Sequence, residues 1–156
     1  MTAKLLQSKI DSFSDFTKLY GTNTTTNFEL MKWSKDLGMP KVYVLMKNEL
    51  DDLERLKQKL KTLYIICNYQ TTDEVGIHWT CMYRTKDISF YFDSFGIVPL
   101  KEANDFLNTK ERYYNSFKIQ KSNTKYCGQL CLWILFQLHL GKDFIDIILS
   151  LKNELQ

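Results

Sequence analysis

Hydrophobic positions along the chain fall into two rhythms, and they divide it into helices and strands. A short helical pattern at the N-terminus passes into GTNTTTN at 21–27, whose side chains favour turns and caps. Phe28, Met31, Trp33 and Leu37 then recur at near-helical spacing, with Asn27 as a cap and Gly38 and Pro40 as stop signals. KVYVLM at 41–46 is β-branched and aromatic and predicts a strand. From Asn48, the residues Leu50, Leu53, Leu56, Leu60 and Leu63 form one apolar stripe, which predicts an amphipathic helix. Its acids lead and its bases trail, as the helix macrodipole favours.

LYIICNY at 63–69 has the unbroken apolar run of a buried strand. After the loop QTTDEVG, the segments IHWTCMYR at 77–84 and ISFYFDSF at 88–95 flank TKD and predict a hairpin. Leu100, Ala103, Phe106 and Leu107 mark a helix, and FKIQ at 117–120 a short strand. The polar loop KSNTKY leads into Cys127–Leu140, apolar nearly all round and so expected as a buried helix. At 142–155, Phe144, Ile147, Ile148, Leu151 and Leu155 share one face of a surface helix. With no internal repeat or linker, the fold class is α+β, one domain over 1–156.

Composition narrows the functional classes. The 156 residues, 44% hydrophobic and 25% charged, suit one soluble globular domain. A net charge of +3 spread over scattered lysines does not indicate nucleic-acid binding. The run Cys127–Leu140 is 14 residues long and broken by Gln129, Gln137 and His139, whereas a membrane span needs about 20, so no membrane partner is expected. Cys67, Cys81, Cys127 and Cys131 form no CxxC pair, which argues against a metal site. The N-terminus carries no secretory signal, so reduced thiols and an intracellular setting are expected.

Four features suit acyl-transfer chemistry. Cys127 stands where a polar loop becomes a helix, at the positive end of the dipole and beside unsatisfied N–H groups. There a cysteine pKa falls from about 8.5 to roughly 3.5–7.5, and the thiolate becomes a nucleophile. Gly128 leaves room for a substrate backbone. The competing reading of Cys127 is a buried core thiol, the reading also given to Cys131. The base must be His78 or His139. His139 lies twelve residues along the helix of Cys127, about 18 Å away, which excludes it.

His78, followed by Trp79, is either that base or a hydrogen-bonded core histidine. Asp93 ends an aromatic strand, where a carboxylate needs a partner. On adjacent antiparallel strands it can accept the second ring N–H of His78, or it can cap the following turn. Gln120, seven residues before Cys127, is either an oxyanion donor beside the Cys127 N–H or an exposed glutamine without a role.

In the order His78, Asp93, Gln120, Cys127, the strings GIHW, YFDSFG, IQ and CGQLCLW resemble the adenovirus-type (adenain-like) cysteine endopeptidases, over about residues 76–140. The resemblance is closest to capsid-maturation proteases of virophages and of large self-synthesising DNA transposons. It implies a central mixed sheet packed against helices, with the cysteine opening a buried helix in papain-like site geometry reached by a permuted chain order. It implies cleavage of viral capsid or virion precursors near glycine, inside the host cell (the viral factory) and in the virion. Cys127 would be nucleophile, His78 general base and acid, Asp93 orienting acid and Gln120 oxyanion donor, with Trp79 and Gly128 at the substrate.

Two departures matter. Asp93 stands where the adenovirus enzymes use Glu, as in the ubiquitin-like-protein proteases of the same clan. No counterpart of the long tail of the adenovirus enzymes is expected, so their peptide and DNA cofactors are not carried over and no cofactor is expected. Two other readings stand beside the endopeptidase. One is a deconjugase of ubiquitin-like modifiers, with Trp79 as a lid over a Gly-Gly tail. The other is a non-enzymatic virion scaffold or nucleic-acid-binding protein.

Overall fold

The computed structural model describes residues 1–58, 61–68 and 78–156. The loop QTTDEVG, Leu60, Gly76 and Ile77 therefore lie outside the described residues. Helices α1 (Ala3–Gln7), α2 (Phe13–Tyr20) and α3 (Asn27–Asp36) come first, followed by β1 (Val42–Met46), a 3₁₀ helix (Lys47–Gln58) and β2 (Thr62–Asn68). Next are β3 (Trp79–Thr85), β4 (Ile88–Phe92), α4 (Lys101–Phe106), β5 (Glu111–Tyr114), α5 (Cys127–His139) and α6 (Phe144–Leu155). This is the α+β architecture expected from the sequence.

The strands form one mixed sheet in the order β1-β2-β3-β4-β5, with β1–β2 and β4–β5 parallel and the two central pairs antiparallel. The period-2 alternation of strand side chains divides the apolar residues between two faces. Tyr64, Ile66, Trp79, Cys81 and Phe92 pack on one side with α2, α3, α5 and α6. Leu63, Ile65, Cys67, Met82 and Tyr91 pack on the other with Leu50, Leu53, Ala103 and Phe106. Strand β2 needs apolar side chains on both faces, which is why its sequence reads as a continuous hydrophobic run. Helix α5 is buried from Cys127 through Gln137, as its all-round apolarity requires. No helix among the described residues is long and apolar enough to cross a membrane.

Four local expectations are corrected. Thr26, one residue before Asn27, caps α3, forming a reciprocal capping box with Glu29. Leu63 belongs to β2, not to the stripe of Leu50. The segment after Asn48 is a 3₁₀ helix, in which residues three apart eclipse, so Leu50 and Leu53 meet the core together. FKIQ forms no strand. The fifth strand is Glu111–Tyr114, which is exposed throughout and so lacks the alternation that would mark it. The predicted stop of α3 is present: Gly38 at φ 73° lets its own N–H and that of Met39 close the last turn on Lys35 and Ser34.

Candidate active site

The hairpin of β3 and β4 brings His78 and Asp93 together. The two strands pair from Arg84↔Ser89 to Cys81↔Phe92, so the residue before β3 and the residue after β4 emerge at the same end. There His78 Nε2 lies 3.0 Å from Asp93 Oδ1. Asp93 is fully buried, and the same oxygen accepts the Phe95 N–H at 2.8 Å. Asn115 brackets it, its Oδ1 accepting the Asp93 N–H at 3.0 Å and its Nδ2 donating to the Asp93 carbonyl at 2.6 Å. The two sequence readings of Asp93, partner to histidine and cap of a turn, hold at once.

Helix α5 presents Cys127 to the same end of the hairpin. Its thiol hydrogen-bonds the His78 side chain, and the main-chain N–H of Trp79 donates to Sγ at 3.4 Å. With Nε2 engaged by Asp93, Nδ1 is the ring nitrogen left for sulfur. The imidazole is stacked on Phe95, with ring centroids 4.9 Å apart and planes 25° from parallel. Burial alone would lower the His78 pKa, but the hydrogen bonds it makes with Asp93 and Cys127, and their charges, raise it from 6.5 to about 9. His139 sits at the far end of α5, edge-on to Tyr64 at 6.2 Å, and takes no part.

Gln120 is 1% exposed, which removes the reading of it as a solvated side chain. Its Oε1 accepts from Ser94 Oγ at 2.6 Å and its Nε2 donates to the Thr124 carbonyl at 2.9 Å. The Ser94 carbonyl in turn accepts the Ile119 and Gln120 N–H groups, each at 2.9 Å. An amide NH₂ has two protons, so one stays available once Thr124 is served. Ser94, the neighbour of Asp93, thus ties the loop that leads into Cys127 to the strand that carries the carboxylate.

Two expected substrate contacts are corrected. A side chain on Gly128 would overlap Thr25 Oγ1 and press on Trp79 Cδ1 at 3.1 Å, so the space above Gly128 is filled by protein and not left for substrate. Trp79 is 5% exposed and its indole N–H donates to the Thr25 carbonyl at 3.2 Å, so it is packed under the N-terminal segment and does not form an open lid. Sequence reasoning missed Thr25 and Gln129. The Gln129 amide donates to the carbonyls of Gly21 at 3.1 Å and Asn23 at 2.9 Å, strapping the polar stretch 21–26 over the start of α5. The only sequence hint was a glutamine in the first turn of a mostly apolar helix.

Cys131, one turn deeper, is a fully buried thiol, and burial and the neighbouring Cys81 hold its pKa well above the usual cysteine range. It behaves as the core residue expected. Among the described residues, no group of three or more His, Cys, Asp or Glu gathers in a way that could hold a metal ion.

This mixed-sheet fold is one used by known proteases. It is similar to the ASFV pS273R protease, with a TM-score of 0.60 at 16% identity over 81% of this chain and 62% of that chain. A second structure of the same protease gives 0.60 at 15%, over 81% and 61%. The chain therefore spans about three-fifths of that protease's length. The SUMO protease Ulp1, in a structure with its catalytic cysteine oxidised to a sulfinic acid, aligns with a TM-score of 0.49 at 14% identity over 94% of this chain and 82% of that one. No family model and no curated protein matches the sequence.

Proposed function

We propose that the chain is a cysteine peptidase that works through a thioester acyl-enzyme. The observation that carries this reading is the His78 ring, which engages the Cys127 thiol on one side and the buried Asp93 carboxylate on the other. In the proposed cycle His78 Nδ1 takes the thiol proton and sulfur adds to the scissile carbonyl. The Cys127 main-chain N–H and the remaining Gln120 amide proton stabilise the oxyanion, a donor of this kind being worth about 2.7–4 kcal/mol. His78 then protonates the departing amine, and water, activated by the same ring, hydrolyses the thioester. Asp93 holds Nε2 and fixes the tautomer throughout.

For the substrate, we propose capsid or virion precursor proteins cut near glycine, in the infected cell and the virion. The support is the resemblance of GIHW, YFDSFG and CGQLCLW to adenain-like endopeptidases, together with the viral origin of a structural neighbour. Deconjugation of a ubiquitin-like modifier uses the same groups, and Asp93 in place of Glu favours it. Glycine-containing capsid precursor peptides and vinyl-sulfone ubiquitin-like probes separate the two. Cleavage of the peptide by the native chain but not by Cys127→Ala supports the maturation enzyme. Labelling of Cys127 by a probe, with the peptide left intact, supports the deconjugase. Full activity in Cys127→Ala would overturn both.

A further inference from the structure

Phe95, two residues past Asp93, carries a large apolar ring that the core does not use. It is half-buried and, among the described residues, belongs to neither of the apolar clusters on the two faces of the sheet. Its backbone is nonetheless fixed. The Phe95 N–H donates to Asp93 Oδ1 at 2.8 Å, the oxygen that also meets His78 Nε2. Gly96 follows at φ 75° with its N–H on the Asp93 carbonyl at 2.9 Å, and a side chain there would overlap the Phe117 main chain at 2.7 Å. Only glycine makes the turn in that space. The ring so placed meets the imidazole of His78, with centroids 4.9 Å apart, and the ammonium of Lys118, 5.5 Å from its centroid.

The hydrogen bonds of His78 leave its ring one freedom. Nε2 faces Asp93 and Nδ1 faces Cys127, so both restraints lie near the ring plane, and the imidazole can still roll about the line joining its nitrogens. An aromatic face stacked within 25° of parallel opposes that roll. A π face also attracts the imidazolium that appears whenever the ring takes the thiol proton. Among the described residues, the titratable groups that face the imidazole are Asp93, just after β4, and Cys127, on α5, while Lys118 reaches Phe95.

We propose that Phe95 is a positioning residue that acts through His78. It keeps the imidazole in the plane where Nδ1 serves first the thiol and then the departing amine, and its face backs the ring while the ring is cationic. The inference rests on the peptidase reading, because proton transfer during turnover is what gives that plane a function.

The test compares the full native chain with Phe95→Leu and Phe95→Tyr. The His78 ring nitrogens are followed by NMR across pH, with His139 as internal reference, beside steady-state cleavage of a glycine-containing capsid precursor peptide. Phe95→Leu should unfold at a denaturant concentration close to that of the native chain, since the ring lies outside both cores. The titration midpoint of His78 in that variant should fall by about half a pH unit to one unit, with kcat down about tenfold and KM little changed. Phe95→Tyr keeps the π face and should recover most of both losses, and His139 should move in neither variant. An unchanged His78 titration in Phe95→Leu, a tyrosine variant as impaired as the leucine one, or a leucine variant that fails to fold would each overturn the proposal. A lowered midpoint restored by tyrosine, in a protein whose native form cleaves no peptide and takes no vinyl-sulfone probe, would sink the peptidase reading and leave the hold of Phe95 on the imidazole standing.

Discussion

Thr25 occupies the space a side chain on Gly128 would need, and in doing so seals the N-terminal segment onto the first turn of α5. Trp79 closes the same contact from the strand side, its N–H on Cys127 Sγ and its indole on the Thr25 carbonyl. The start of α5 is thereby packed against both the N-terminal segment and β3.

Gly128→Ala should accordingly destabilise the fold by about 1–3 kcal/mol, the usual cost of overpacking a filled interior. Combining it with Thr25→Gly, which removes the obstructing atoms, should recover part of that loss. Denaturant midpoints of the two variants are the measure. Equal midpoints for Gly128→Ala and the native chain would mean that the space is open.

Asp93→Asn should keep the turn, because an amide oxygen in place of Oδ1 can still accept from both the Phe95 N–H and His78 Nε2–H, yet it removes the negative charge that stabilises the imidazolium. Loss of the orienting carboxylate in a comparable triad costs about 10⁴-fold in kcat, and a fall of that order is expected here. Steady-state kinetics should show the fall in kcat with KM little changed.

The pH dependence of stability follows from His78. Its pKa in the folded chain is about 9, above the ordinary 6.5, so the cationic form stabilises the fold. That contribution is complete below about pH 6.5 and is lost as pH rises through 9, and it amounts to at most about 3 kcal/mol. Unfolding measured across this window should show the native chain weakening with pH and His78→Gln weakening much less. Parallel curves would show that the imidazolium is not stabilised in the folded state.

Gln120→Ala should lower kcat by about 10²–10³ if its spare amide proton meets the oxyanion. It should also cost some stability, since Ser94 Oγ and the Thr124 carbonyl would lose their partner. Gln120→Glu, close in shape, keeps the Ser94 contact but loses both amide protons, the one on the Thr124 carbonyl and the spare one. A Glu variant with full activity would exclude the oxyanion role.

Much of this arrangement was legible in the sequence because its parts carry strong local signals. An apolar run opening at Cys127, two aromatic strands around TKD and only two histidines narrowed the candidates to His78, Asp93 and Cys127, each with a competing structural reading, and the resemblance to adenain-like endopeptidases supplied their roles. Periodicity could not reveal β5, since Glu111–Tyr114 buries neither face. Nor could it reveal Thr25, which is made part of the site by contacts across more than fifty residues of sequence. Gly128 was misread for a related reason: a small residue beside a nucleophile looks the same in sequence whether the space above it holds substrate or a threonine.

The hairpin pairing has a consequence for how this chain can change over generations. His78 and Asp93 meet only because Cys81 faces Phe92, and adding or deleting a single residue between Trp79 and Cys81 would reverse the alternation ahead of the ladder. Such a change would part the imidazole from its carboxylate without altering either residue. Single-residue insertions and deletions there should be purged as strictly as loss of the thiol itself, while substitutions in the same strand that keep its length and its inward apolar positions remain free to drift.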